Sequence, residues 1–319
     1  METIYLAPME GLTGYVYRNA LHRCFHSIDR YFTPFLSTRG FGHRERSDVL
    51  PAHNEGMDVV PQILTNQADV FLEIAKQLED RGYQEVNLNL GCPSGTVVTK
   101  QKGAGFLSCP EELERFLDTV FSSCSLKISI KTRVGMCSLD EWERLLAIES
   151  SFPLTELIIH PRLRDEYYAG MPHIECFTQA QEQTELPLVY NGDINTLADY
   201  RALLSQCKKP VSAVMLGRGI LKNPWLAGNL RGEQGPRETM LSEFLDEILE
   251  GYLREMSGER DALFRMKELW SYLGQSFEDA QKYLKQIKKA KTADQYRTAV
   301  SGLLRDCRFT GGYEFAEEI

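Results

Sequence analysis

Through the first 220 residues, short apolar runs alternate with longer amphipathic ones. The short runs fall at 4–9, 31–37, 58–64, 85–90, 127–132, 156–160, 188–191 and 213–217. Most are nearly continuously apolar, as strands buried on both faces are. Helical periodicity lies between them. Over 66–81 it places Val70, Leu72, Ile74, Ala75 and Leu78 near one face. The stretch 110–122 opens with Pro110, Glu111 and Glu112, a favourable helix start. Stretches 139–150 and 197–205 continue the alternation. The segment 38–56 is polar, rich in Arg and His, and predicts a long loop. Eight strand–helix units in so short a span predict an α/β fold, a (β/α)8 TIM barrel rather than a doubly wound sheet. After Gly232-Glu233-Gln234-Gly235-Pro236 the pattern changes. No strand signal follows. Helix-period stretches at 237–256, 260–274, 277–291 and 293–306 predict a helical bundle, joined by a linker at 228–237. The expected units are a catalytic barrel over 1–235 and a helical domain over 236–319.

Composition adds little to this picture. At 43% hydrophobic and 25% charged residues, the 319-residue chain reads as an ordinary globular protein. The start, Met1-Glu2-Thr3-Ile4-Tyr5-Leu6, lacks the basic and apolar regions of a signal peptide. No apolar run approaches the roughly 18 residues of a membrane helix. The eight cysteines include no Cys-x-x-Cys pair, so no metal site is expected. Scattered thiols point to a reducing cytoplasm. The net charge of −9 argues against nucleic acid. Its distribution reverses that reading locally. Between Arg260 and Arg308, eleven Lys and Arg stand against six Asp and Glu, or +5.

The strand ends carry the chemistry. In a barrel, the C-terminal ends of the strands build the active site. Here they offer Ala7-Pro8-Met9, Gln62, Asn87 and Asn89, Lys131 and Arg133, His160-Pro161-Arg162, Asn191-Gly192-Asp193 and Gly217-Arg218-Gly219. Asn87 and Asn89 are two apart and share a face, as do Lys131 and Arg133. Singly, each amide is explained by a satisfied turn, and His160 by a hydrogen-bonded core histidine. A lysine within an apolar strand is harder to explain that way, because lysine is almost never buried without a partner. The coincidence of all these groups on one rim points to a site. Glycines after strands 7 and 8 let backbone N–H groups approach a phosphate, with a helix N-terminus and Arg218 adding attraction. Lys131, Gln62 and Asn89 suit a planar heterocycle with carbonyl and imide edges. Flavin mononucleotide has both parts, and Lys131 would stabilise its reduced, anionic form. Cys92, locked by Pro93 after Asn89-Leu90-Gly91, sits at the edge of this ring. It could serve as nucleophile, metal ligand or proton donor. A proton donor must remain a thiol.

These residues resemble the tRNA-dihydrouridine synthases. The resemblance rests on Leu6-Ala7-Pro8-Met9, Pro61-Gln62-Ile63, Asn89-Leu90-Gly91-Cys92-Pro93-Ser94, Lys102-Gly103-Ala104-Gly105, Lys131-Thr132-Arg133, His160-Pro161-Arg162, Asn191-Gly192-Asp193-Ile194 and Gly217-Arg218-Gly219, in the family's order. Arg265-Met266-Lys267, with Trp270 and Tyr272 behind it, is similar to the family's helical domain. The resemblance implies that Pro8 and Met9 line the flavin, that Gln62, Lys131 and His160 hold the isoalloxazine, and that Asn191, Gly192, Asp193, Gly217 and Arg218 hold the ribityl phosphate. It implies that Asn89 and Arg162 orient the target uracil. Cys92 would give a proton to C5 while flavin N5 gives hydride to C6, and NADPH (or NADH) would re-reduce the flavin. Two positions depart from the pattern. Asn87 stands where many members carry aspartate, and Pro161 replaces a common glycine.

An RNA substrate agrees with the charge. A base must leave its stack to meet a flavin, which costs least in a loop. Lys282, Lys285, Lys288 and Lys289 recur at three- and four-residue spacing, on one helix face. A solvated surface explains them alone. Beside the barrel motifs, a phosphate-contacting face is the better reading. Arg133, Lys100, Lys102 and Arg39 on the rim, with Arg265 and Lys267, extend the expected tRNA track. A monomer is expected, since one tRNA needs one face. The rival readings are an FMN-dependent small-molecule oxidoreductase of the dihydroorotate dehydrogenase type, a sugar-phosphate isomerase or aldolase with Lys131 as base, and a flavin-free RNA-binding barrel.

Overall fold

The structure is a computed structural model and describes residues 3–233, 235 and 239–311. Eight parallel strands form a ring: β1 (Thr3–Leu6), β2 (Arg30–Phe32), β3 (Val59–Val60 and Gln62–Ile63), β4 (Glu85–Leu90), β5 (Lys127–Arg133), β6 (Leu157–His160), β7 (Leu188–Tyr190) and β8 (Ala213–Leu216). The pairing runs from the lower half of β3 through β2, β1, β8, β7, β6, β5 and β4 to the upper half of β3. The ring therefore closes at β3, as the expected (β/α)8 barrel. Pro61 divides β3 because it has no N–H for the ladder. Its carbonyl still accepts from Asn87 N at 2.9 Å.

Strand alternation sorts side chains to two cores. Tyr5, Ala7, Phe32, Val60, Ile158, Val189, Ala213 and Met215 form one cluster, the barrel interior. Ile4, Leu6, Val86, Leu88, Val214 and Leu216 belong to the larger cluster packed under the helices. The same period carries Gln62, Asn87, Asn89, Lys131, Arg133, His160 and Asn191 to the interior, since each lies an even number of residues from an inward neighbour or opposite one in register. At the N-terminal end, Arg30 links Asp58 (2.7 Å), Glu85 (3.2 Å) and Glu156 (3.6 Å), and Tyr5 Oη donates to Glu156 at 2.8 Å.

The predicted helices are present as Ala68–Glu79, Pro110–Ser123, Glu141–Ser150 and Leu197–Gln206. The segment expected as a loop departs from prediction. It contains a helix, His43–Asp48, and a turn, Pro51–His53. The helix's two acidic side chains, Glu45 and Asp48, fold inward. Glu45 accepts from Ser37 N (2.8 Å), Gly42 N (2.7 Å) and Thr38 Oγ1 (2.6 Å). Asp48 accepts from Tyr15 N at 2.7 Å. Two further helices gave no clear apolar period, Tyr15–Phe25 and Ile174–Gln183. The first buries Arg18, which donates to Thr13 O, Asp48 O and Asn54 Oδ1 at 3.1, 2.8 and 2.9 Å. The second buries Gln181 against Lys209 O at 3.0 Å. A buried cation or amide held mainly by backbone carbonyls looks polar in sequence and apolar in packing, although Arg18 Nε and Gln181 Oε1 have no partner.

The C-terminal part has four helices where four were expected: Met240–Glu255, Glu259–Leu273, Gln281–Lys289 and Ala293–Asp306. A helix, Leu226–Arg231, occupies the start of the expected linker. Gln234, Pro236 and Arg237 of that linker lie outside the described residues. The helical part sits on the first barrel helix. Phe244 meets Tyr17 and Phe25 edge-on at 5.5 and 5.3 Å. Glu255 accepts from Tyr15 Oη and Ser47 Oγ at 2.7 and 2.8 Å. Among the described residues no helix is long and apolar enough to cross a membrane, and no cluster of metal-ligating side chains occurs.

Candidate active site

Cys92 sits where β4 leaves the barrel, and Asn89 determines the shape of that exit. Its Oδ1 accepts from both Gly91 N (3.1 Å) and Cys92 N (2.9 Å). The loop after Pro93 folds back over the thiol. Ala104 N donates to Cys92 O at 3.1 Å. Gly103 has φ +55, and a Cβ there would lie 2.9 Å from Cys92 O. That close approach is why glycine stands in Lys102-Gly103-Ala104-Gly105. Burial pushes the Cys92 thiol up from its ordinary pKa, against the pull of the Ser94 amide, Arg133 and Lys131. At neutral pH it stays protonated, as a proton donor requires.

Lys131 faces Asn89 across the β4–β5 pair. Burial, with the Arg133 charge beside it, lowers its pKa to about 7. Among the described residues no carboxylate pairs with it. Arg133 is buried. Its Nε donates to Gly91 O and its Nη1 to Leu163 O, both at 2.9 Å. It therefore ties the Cys92 turn to the loop after β6.

His160 Nδ1 lies 2.5 Å from Asn191 O and donates to it, which leaves Nε2 as a bare acceptor. Burial and the cations Arg133 and Lys131 hold the ring well below its ordinary pKa, hence neutral. Nε2 is buried and has no partner. Asn191 Nδ2 donates to Met215 O at 2.8 Å. Across the pocket, the amides of Gly192, Asp193 and Gly217 have no acceptor among the described residues. A Cβ at Gly192 would overlap the Tyr190 ring, so the chain there lies flat against it. An orphan imidazole nitrogen, an unpaired ammonium and free amides thus face one pocket, which Pro8, Met9, Arg218 and Tyr168 also line. In charge and hydrogen bonding these groups match a planar, anionic ring bearing a phosphate; the cavity between them is about 80 Å³.

Several expected site residues are placed otherwise. Arg162 is fully buried. It donates to Ala169 O (3.1 Å) and Gly170 O (2.5 Å) and holds Asp193 through two contacts at 3.1 and 2.6 Å. It anchors the loop after β6. Asp193 also pairs with Arg218, so it neutralises two guanidiniums. Burial raises the Asp193 pKa, but Arg162 and Arg218 more than offset it and hold it low. Gln62 and Asn89 spend their amides on each other and on neighbours. Arg265 donates to Gly11 O at 3.2 Å, joining the helical part to the barrel. Lys267 donates to Ala290 O at 2.7 Å, the end of the Gln281–Lys289 helix. Lys282, Lys285, Lys288 and Lys289 are exposed, and none has an ion-pair partner among the described residues. Lys100 is exposed and Lys102 half-buried, on the loop after Cys92. Arg39 is bound to Asp69 and Glu73.

Two residues were missed. Tyr168 lies between the guanidiniums of Arg218 and Arg133, at 4.4 and 5.3 Å from its ring centre. The adjacent pair Tyr167-Tyr168 in a polar loop was the available signal. Ser129 lies two before Lys131, on the same inward face, and a period-2 reading back from Lys131 reaches it. A larger cavity, about 580 Å³, lies elsewhere, between the barrel and the helical part beside Tyr15, Tyr252 and Phe264. It holds none of the strand-end groups, so we place the chemistry in the smaller pocket.

Comparison with known proteins identifies the family. The family profile described as dihydrouridine synthase (Dus) matches residues 5–307. A probable tRNA-dihydrouridine synthase of Staphylococcus aureus (strain MRSA252) is 31% identical over 252 residues, 76% of this chain and 74% of that protein. tRNA-dihydrouridine synthase B of Pasteurella multocida (strain Pm70) is 28% identical over 234 residues, 70% of this chain and 67% of that protein. Among solved structures, a variant of NCR from Zymomonas mobilis aligns with 12% identity over 76% of this chain and 90% of its own, at a TM-score of 0.49. With its barrel, its Cys92 turn and a family match along nearly its whole length, this chain belongs to the dihydrouridine synthase family.

Proposed function

We propose that this chain reduces a uridine of tRNA to 5,6-dihydrouridine, with FMN in the barrel pocket and NADPH or NADH as reductant. The observation that carries the reading is Lys131, a buried amine with no carboxylate partner among the described residues, beside a thiol kept protonated by burial. When bound, FMN would supply the hydride for C6 of the uracil. Cys92 holds the proton for C5 on Sγ, and the Asn89 and Arg133 contacts fix the turn that carries it. Lys131 supplies positive charge where the reduced ring is negative. His160 Nε2 accepts a hydrogen bond from the ligand, and the Gly192, Asp193 and Gly217 amides receive its phosphate. Tyr168, Arg133 and Arg218 shield the pocket from the loop side. Absorbance at the flavin bands tests the cofactor. A colourless protein that cannot be loaded with FMN would overturn the reading.

The names of the relatives and the unpaired lysines support tRNA as the substrate. We assign the chemistry to residues 1–235 and the backbone attraction to 236–319. Arg265 and Lys267 organise that second part, and Lys282, Lys285 and Lys288, with Lys100 and Lys102, meet phosphates. Reversing the charge of Lys285 and Lys288 is expected to weaken tRNA binding and to reduce the slope of log affinity against log salt by roughly one per lost contact. Flavin content should not change. Equal tRNA affinity across a salt titration would show that this face does not bind.

A further inference from the structure

We propose that Ser129 is a positioning residue for Cys92, acting through a chain of three buried amides. This rests on the proton-donor reading of Cys92. The chain starts at the thiol's own backbone. Cys92 N donates to Asn89 Oδ1 at 2.9 Å, Asn89 Nδ2 to Gln62 Oε1 at 2.7 Å, Gln62 Nε2 to Asn87 Oδ1 at 2.8 Å, and Asn87 Nδ2 to Ser129 Oγ at 3.0 Å. All four side chains are buried. An amide's oxygen and nitrogen ends are interchangeable in shape, so its orientation follows from its partners. Here one end of the chain permits a single answer. The N–H groups of Gly91 and Cys92 can only donate, so Asn89 must present its oxygen to them. Asn89 then has only its nitrogen for Gln62, Gln62 only its nitrogen for Asn87, and Asn87 only its nitrogen for Ser129. Every link is polarised the same way, and the last one needs an acceptor. Ser129 Oγ is that acceptor.

The chain explains why Gln62, Asn87 and Asn89 all face the barrel interior on the adjoining strands β3 and β4. It also accounts for Asn87. That position must accept from Gln62, which asparagine and aspartate both do. An aspartate would in turn accept from the Ser129 hydroxyl, so the polarity towards Cys92 would survive. An apolar residue at 87 would break it. Removing the hydroxyl of Ser129 leaves Asn87 Nδ2 a buried donor without a partner, so the far end of the chain loses its anchor and the amides hold the Cys92 turn less firmly.

The test uses the full-length protein with Ser129→Ala, Asn87→Leu and Asn87→Asp. Flavin absorbance, kcat and KM for tRNA reduction, and the rate at which iodoacetamide alkylates the Cys92 peptide would be measured. Ser129→Ala is expected to lower kcat about tenfold, the order expected for one buried donor left unpaired, with KM and flavin content unchanged. Alkylation of Cys92 should become faster as its turn loosens. Asn87→Leu should do the same, and Asn87→Asp should behave as the unaltered protein. Unchanged kcat and alkylation in Ser129→Ala and Asn87→Leu would overturn the proposal. So would a fall in kcat with unchanged alkylation, because the loss would not pass through Cys92. Equal damage from Asn87→Asp and Asn87→Leu would overturn the polarity. If Asn87→Leu fails to fold, Ser129→Ala and Asn87→Asp decide alone. The alkylation readout needs neither flavin nor tRNA. A shifted rate in a protein that makes no dihydrouridine would uphold the positioning and sink the proposed function instead.

Discussion

Cys92→Ala is expected to retain FMN and tRNA affinity while losing dihydrouridine formation by about 10² to 10⁴, the range associated with a positioned proton donor. The loss should appear in kcat. The Cys92 side chain holds up neither the turn nor the pocket. The turn is held by backbone N–H groups on Asn89 and by Arg133 on Gly91 O. The pocket's ring-facing groups come from β5, β6 and the loops after β7 and β8. Removing one sulfur therefore leaves the binding groups in place. Single-turnover reduction of tRNA, measured beside flavin content, separates the two. Full activity would remove the proton-donor role. Loss of flavin together with activity would mean that Cys92 acts through folding instead.

Lys131→Met is the second large effect, and it cuts in opposite directions for stability and activity. The ammonium lacks an anion, and burial with Arg133 brings its pKa from 10.5 to about 7. Between those values the unfolded chain holds a proton that the folded chain does not. Stability therefore rises with pH across that window, and the cost of charging Lys131 is fully present below about 7. Methionine removes the charge and keeps most of the shape. The ligand-free variant should be more stable by about 1 to 3 kcal/mol at acid pH, with the gain fading towards alkaline pH. Uridine reduction should fall by about 10² to 10³, the cost of losing one preorganised charge. Thermal unfolding of both proteins across pH, followed by turnover of the loaded enzymes, checks the pair. A less stable, fully active variant would refute the assignment.

The barrel was legible because eight apolar runs at regular spacing leave few alternatives, and a parallel ring buries both faces of every strand. The strand-end groups were legible for the same reason. Alternation assigns Lys131, Arg133, His160 and Asn191 to the inside once the strands are identified. The helix His43–Asp48 was not legible. Its carboxylates Glu45 and Asp48 are consumed by backbone N–H groups, so a polar composition hides a packed element. Helix Tyr15–Phe25 was hidden likewise by buried Arg18.

The sequence alone determined which groups stand at the rim and that a rigid thiol stands among them, because strand period and motif order are local properties. The tertiary structure decided what each group does with its hydrogen bonds. Arg162 and Arg133 have equal chemistry in sequence. In the fold, Arg162 disappears beneath a loop, while Arg133 joins that loop to the Cys92 turn. Asn89 and Gln62 look like ligand contacts and are first of all contacts to one another. Lys131 has no carboxylate partner among the described residues. Partners that lie 25 to 42 residues apart, as in the Ser129–Asn87–Gln62 chain, meet only when the ring closes. No local pattern records which donor finds which acceptor there.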